Sequence, residues 1–113
     1  MQTPDLSEAL KATEGDVDLL RDVVEAFFEE YPILLEELGR AIRSSDCDSV
    51  QRASHTIKGT LRIFGDVPAR RLARQLEEMG RIEVLGGAEK IYDSLKDSLS
   101  IFHDQLKTAV EAL

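Results

Sequence analysis

The sequence predicts an all-α fold: an up-and-down antiparallel four-helix bundle with a short extra N-terminal helix. Three observations predict it. Apolar residues recur at steps of three and four along nearly the whole chain, and no run alternates with period two, so no strand is expected. Turn-forming clusters at Gly15-Asp16, Ser44-Ser45-Asp46, Gly65-Asp66 and Gly86-Gly87 punctuate the periodic stretches. The connections are short, which makes consecutive helices antiparallel neighbours. With 113 residues the chain fits a single domain, 1–113. A globule of that size buries about two-thirds of its unfolded surface, enough for one modest core.

Each element has its own justification. Thr3-Pro4 suits the cap and first turn of a short helix with Leu6, Ala9 and Leu10 inward. Gly15-Asp16 breaks and recaps the chain, after which Leu19, Leu20, Val23, Val24, Phe27 and Phe28 form an apolar stripe. Pro32 either kinks that helix or begins a new one. The stripe resumes with Leu34, Leu35, Leu38, Ala41 and Ile42, and a Ser or Asp of Ser44-Ser45-Asp46 caps the next helix. That helix turns Val50, Ala53, Ile57, Leu61 and Phe64 inward and ends at Gly65. Asp66 is the expected cap of a further helix, with Pro68 in its first turn and Ala69, Ala73, Leu76 and Met79 inward. Beyond Gly86-Gly87, a seam of Ala88, Ile91, Leu95, Leu99, Phe102, Leu106, Ala109 and Leu113 suits packing in a bundle.

Composition narrows the function classes. The chain is 42% hydrophobic and 32% charged, as soluble globular proteins are, and with 5% aromatics and no Trp its core rests on aliphatic residues. A net charge of −8 argues against nucleic acid and against anionic membrane surfaces. The charge is unevenly spread. Residues 51–75 hold Arg52, Lys58, Arg62, Arg70, Arg71 and Arg74 against Asp66 alone, a local +5 that leaves −13 for the rest. A basic island on an acidic body invites a locally acidic partner or a phosphoryl group. Cys47, without a second cysteine, fits a reducing cytoplasm as a small buried residue. No signal-peptide pattern or membrane span is read in the sequence.

The helix before Gly65 holds the chemistry. At about 100° per residue, His55 lies roughly 160° from the mean direction of the apolar stripe, with Gln51, Lys58, Gly59 and Arg62 on the same outward side. An exposed imidazole, with an unperturbed pKa of about 6.5, is largely unprotonated at neutral pH and can act as a nucleophile. Lys58, three residues on, is placed to steady a phosphoryl group's charge. Gly59 costs a helix about 1 kcal/mol relative to Ala, which suggests a need for clearance beside the ring. His55 lies ten residues before Gly65 and Glu77 twelve after it, so in antiparallel helices both stand about 15–18 Å from the turn. Glu77 is then either a carboxylate accepting the Nδ1–H of His55, which leaves Nε2 free, or an ordinary solvated helix glutamate. His103, beside Phe102, has none of these neighbours and reads as a surface residue. There is no His/Cys cluster for a metal and no glycine-rich loop for a nucleotide.

His55-Thr56-Ile57-Lys58-Gly59, followed by Gly65, resembles the H-x-[LI]-K-G-x-x-x-x-x-G signature of histidine-containing phosphotransfer (HPt) domains. Gly15-Asp16 with Leu19-Leu20, the Phe27–Tyr31 stretch, Leu38, Ala41 and the Asp46 turn resemble the family's segment before the histidine. Leu76-Glu77 resembles its Leu-Glu pair on the next helix. The Phe64-Gly65 pair slightly resembles the phosphorylated domain of chemotaxis kinases, while the N-terminal half is nearer to the domains that end hybrid sensor kinases. The resemblance implies phosphorylation of His55 on Nε2, with Lys58 assisting, Gly59 giving clearance and Glu77 orienting the ring. Ser54, where the family usually has Ala, and Arg62-Ile63-Phe64, in place of a smaller and more polar stretch, are departures that remove no reacting atom.

The expected function is thus phosphorelay: a phosphocarrier without an ATP site of its own, exchanging a phosphoryl group with a response-regulator receiver domain that brings its own Mg²⁺. Gln51, Arg52, Arg62 and exposed parts of Ile57 or Leu61 are the expected docking contacts; the arginines also fit an ordinary solvated helix face. A sensor histidine kinase, or the rest of a hybrid kinase chain, is a further expected partner. Two other readings are the substrate region of a multidomain kinase, phosphorylated directly by an ATP-binding domain elsewhere in the parent chain, and a non-catalytic helical adaptor of a signalling complex.

Overall fold

Five α-helices follow one another in the computed structural model, which describes residues 5–113: α1 (Ser7–Ala12), α2 (Val17–Arg43), α3 (Cys47–Leu61), α4 (Pro68–Arg81) and α5 (Ala88–Glu111). Helices α2 to α5 form the antiparallel bundle, and α1 is the short extra helix, packed on α2 and on the turn after α3. Around the bundle α3 packs on both α2 and α4, and α5 on α4 and α2. The α3–α4 pairing is the most extensive, and it is the one that bears the site. The molecule measures 42 × 26 × 21 Å.

Local chemistry sets most boundaries. Asp16 accepts the backbone N–H of Leu19 at 3.0 Å, and Asp46 accepts that of Ser49 at 3.2 Å, so both helices begin at side-chain caps. The Asp46 cap resolves the choice within the Ser44-Ser45-Asp46 turn. The last turn of α3 tightens into a 3₁₀ turn, Arg62–Phe64, which swings Phe64 inward against Phe27 and Phe102. Gly65 then reverses the chain at φ 85°, ψ −153°, a conformation open essentially to glycine alone.

The core is one cluster running from Leu6 and Ala9 through Leu20, Val24, Phe27, Leu35 and Leu38 of α2. It continues through Val50, Ala53, Ile57 and Leu61 of α3 to Ala69, Ala73 and Leu76 of α4 and Leu95, Leu99, Phe102 and Leu106 of α5. These are the stripes the periodicity predicts, including Ala41, Ile42, Phe64, Ala88 and Ala109. Leu10, Phe28, Leu34, Met79 and Ile91 are half-buried at its edge, and Val23 is half-buried.

Several expectations are corrected. No new helix begins at Pro32; α2 runs through it for 27 residues, because the packed stripe continues on both sides of it, with Phe27 before and Leu35 and Leu38 after. Asp66 does not cap α4. The residue before a proline is pushed into extended backbone, so Val67, at φ −83° and ψ 153°, occupies the cap position ahead of Pro68. Asp66 instead stands 3.9 Å from Arg71. Helix α3 stops at Leu61 rather than reaching Gly65. Leu19 is 47% exposed, since it lies about 100° around the helix from Leu20 and outside the stripe. Leu113 is exposed beyond the end of α5. Cys47, at the first turn of α3, is half-buried rather than buried. The Thr3-Pro4 pair lies outside the described residues.

Candidate functional site

The inward stripe of α3 decides which side of the helix faces water. Val50, Ile57 and Leu61 are fully buried, so His55 emerges on the opposite face with its side chain 70% exposed. Ser54, beside it, points inward and is completely buried. Its hydroxyl meets no hydrogen-bond partner among the described residues. Ile57 and Leu61, expected as partly exposed docking contacts, are corrected: both have no exposure because they form the centre of that stripe.

Antiparallel packing brings Glu77 of α4 level with His55. Its Oε2 lies 2.6 Å from His55 Nδ1, and its Oε1 lies 2.8 Å from Lys58 Nζ. Of the two sequence readings of Glu77, the contact with the ring is the one observed, and the side chain is only 19% exposed. Burial pushes its carboxyl up, but the hydrogen bonds from Lys58 and His55, with their charges, outweigh this and hold it below its ordinary value. An ionised carboxylate only accepts hydrogen bonds, so Nδ1 is the protonated nitrogen. The lone pair of Nε2 is left free on the exposed ring. Lys58 sits on the same face one turn on, with its ammonium on Glu77.

The surroundings are open. A shallow depression beside the ring is lined by Asp48, Gln51, Arg52, Thr56 and Glu77. Gln51 is half-buried and Arg52 exposed, its guanidinium 3.3 Å from Ser49 Oγ. Gly59 is exposed, and a Cβ added there would meet nothing within 4 Å. Arg62 is exposed in the 3₁₀ turn, seven residues and about 10 Å along the axis from His55. Gly65 forms the turn itself, and its backbone N–H donates to the carbonyl of Arg62 at 3.1 Å.

Two arrangements had no counterpart in the sequence reading. His103, expected at the surface, is half-buried, because its ring stacks on Phe28 of α2 at 3.8 Å and shares a 2.7 Å hydrogen bond with Tyr31. Burial, with the charge of Asp104, pushes the Tyr31 hydroxyl up. Gly80, buried three residues after Glu77, abuts the backbone of α3. A glycine within a helix, on the face that carries a site residue, was the available signal.

An exposed imidazole steered by a neighbouring carboxylate on a four-helix bundle defines a class of phosphocarrier proteins. The chain belongs to the Hpt domain family, which matches residues 22–113. Its structure is similar to the crystal structure of histidine-containing phosphotransfer protein B (HptB) from Pseudomonas aeruginosa PAO1. The two share 19% identity at a TM-score of 0.87 over 98% of this chain and 96% of that one, a likeness of fold. No curated protein matches the sequence. The function of the chain is accordingly histidine phosphotransfer in a phosphorelay, with response-regulator receiver domains as partners. Among the described residues no helix is long and apolar enough to cross a membrane.

Proposed function

We propose that His55 is the phosphoacceptor and that its Nε2 is the attacking atom. The observation that carries this reading is the 2.6 Å contact between Nδ1 and Glu77, which leaves Nε2 as the free nitrogen of an exposed ring. The Nε2 lone pair forms a bond to the phosphorus of a receiver aspartyl phosphate, and the bond from phosphorus to the aspartate oxygen breaks. The aspartate leaves as a carboxylate. Positive charge develops on the ring as the new bond forms, and Glu77 offsets it through Nδ1–H. Transfer to a receiver aspartate is the same step reversed.

Lys58 assists by exchanging Glu77 for a phosphoryl oxygen, a short move for an ammonium on a flexible four-carbon stem. Gly59 leaves room for the partner beside the ring. The partner receiver supplies Mg²⁺ and most of the electrostatics, while this chain supplies a positioned nucleophile. Gln51, Arg52 and Arg62 dock the receiver's acidic rim, and a sensor histidine kinase, or the remainder of a hybrid kinase chain, is a second partner. A single cysteine in 113 residues supports a reducing, cytoplasmic setting.

Phosphoryl transfer from a phosphorylated receiver with Mg²⁺, comparing this chain with His55→Gln, tests the assignment. Acid-labile, alkali-stable label on the wild type and none on the variant is the expected result. Binding of receivers without any labelling, unchanged by His55→Gln, would favour the adaptor reading.

A further inference from the structure

The contact between Glu77 and His55 depends on how near α4 comes to α3, and one position lies where the two backbones touch. Gly80 is buried one turn C-terminal to Glu77 on α4. A Cβ on Gly80 would stand 2.7 Å from the backbone N of Gln51, 2.8 Å from the carbonyl O of Cys47 and 3.1 Å from Gln51 Cα. Carbon atoms do not approach that closely without displacement. Gln51 lies one turn N-terminal to His55, so this contact sits one turn below the site on both helices.

The other helical glycines differ. At Gly59 an added Cβ meets nothing within 4 Å. At Gly39 of α2 it meets the hydroxyl and ring of Tyr92 and the end of Arg43, side-chain atoms that can rotate away. Only at Gly80 is the obstacle the backbone of the helix that carries the nucleophile, and backbone in a packed helix yields only if the helix moves.

We propose that Gly80 is a positioning residue, whose missing side chain sets the α3–α4 separation at which Glu77 reaches His55 Nδ1. A side chain there drives α4 outward, and a hydrogen bond of 2.6 Å weakens steeply as its partners separate. The ring then loses its fixed tautomer, and the fraction with a free Nε2 lone pair falls. This role rests on the reading of His55 as phosphoacceptor, but its effect on the ring is measurable without phosphorylation.

The test is the ¹⁵N spectrum of the His55 ring in the wild type, Gly80→Ala, Gly39→Ala and Glu77→Ala, together with the rate of phosphoryl transfer from a receiver. Gly80→Ala is expected to shift the ring signals toward those of Glu77→Ala and to slow transfer on the order of tenfold or more. Gly39→Ala, which disturbs packing away from the site, is expected to leave both as in the wild type. A folded Gly80→Ala protein with wild-type ring signals and rate would overturn the proposal. Should that variant fail to fold, Ala73→Val adds bulk at a fully buried position seven residues back on the same face of α4 and is expected to press the helix outward more gently. Wild-type ring signals in folded Ala73→Val would overturn it equally. If the ring signals change as expected but the wild type accepts no phosphoryl group, the spacing role stands and the assignment of His55 fails.

Discussion

Glu77 holds both His55 and Lys58, so its titration reports on the integrity of the site. Its carboxyl titrates below the ordinary value in the folded state. The stability it contributes is therefore present above an unfolded-state pKa of about 4.3 and lost as pH falls through the lower folded value. Urea midpoints of the wild type are expected to decline below that pH, and those of Glu77→Gln to decline less steeply; parallel curves would contradict the ion-pair account. Ser54 makes a second prediction. Its hydroxyl is buried without a partner, so Ser54→Ala is expected to raise stability by about 1 kcal/mol, read as a higher urea midpoint. The height of Glu77 was legible in the sequence, because counting outward from Gly65 gives it, but whether its carboxylate meets the ring or water was left open by the spacing. The ammonium of Lys58 resting on Glu77 was not, since side-chain pairing across two helices depends on rotamers that spacing does not encode.

Helix by helix, apolar periodicity located the stripes, and departures arose where short-range chemistry competes with packing. Pro32 lacks the N–H that an α-helix needs, yet tertiary burial on both sides carries α2 through it. Pro32→Ala is expected to stabilise the protein by up to about 3 kcal/mol in equilibrium unfolding, the cost of proline in a helix interior. Asp66 looked like a cap by residue type, but the backbone preference imposed by Pro68 moved the boundary to Val67. At Gly59, stability and function are expected to part. Gly59→Ala meets no neighbour and is expected to gain about 1 kcal/mol from helix propensity. Gly59→Phe is expected to keep the fold by circular dichroism while slowing transfer from a receiver, because a bulky ring then stands beside His55. Equal transfer rates for glycine and phenylalanine would remove the clearance role.

The whole molecule separates its charges, with a local +5 over residues 51–75 on a chain of net −8. Such an arrangement orients a partner with an acidic active site during approach and acts mainly on the rate of association. Association with a receiver is expected to slow as salt rises, and Arg62→Glu is expected to slow it further while leaving the fold intact, as stopped-flow binding would show. The uneven charge was legible in the sequence. The aromatic cluster that ties α2 to α5 was less so: Phe27 packs on Phe102, while His103, half-buried, stacks on Phe28. Nothing in helical spacing alone distinguishes an edge histidine that folds inward from one that stays in water.

Because the His55 ring is seven-tenths exposed, a phosphoryl group carried there, as proposed, is bathed in solvent rather than sheltered. On that assignment the chain keeps no clock of its own. The half-life of the stored group is inherited from the nitrogen–phosphorus bond in water, and the duration of a signal is decided by whichever protein next docks on that face.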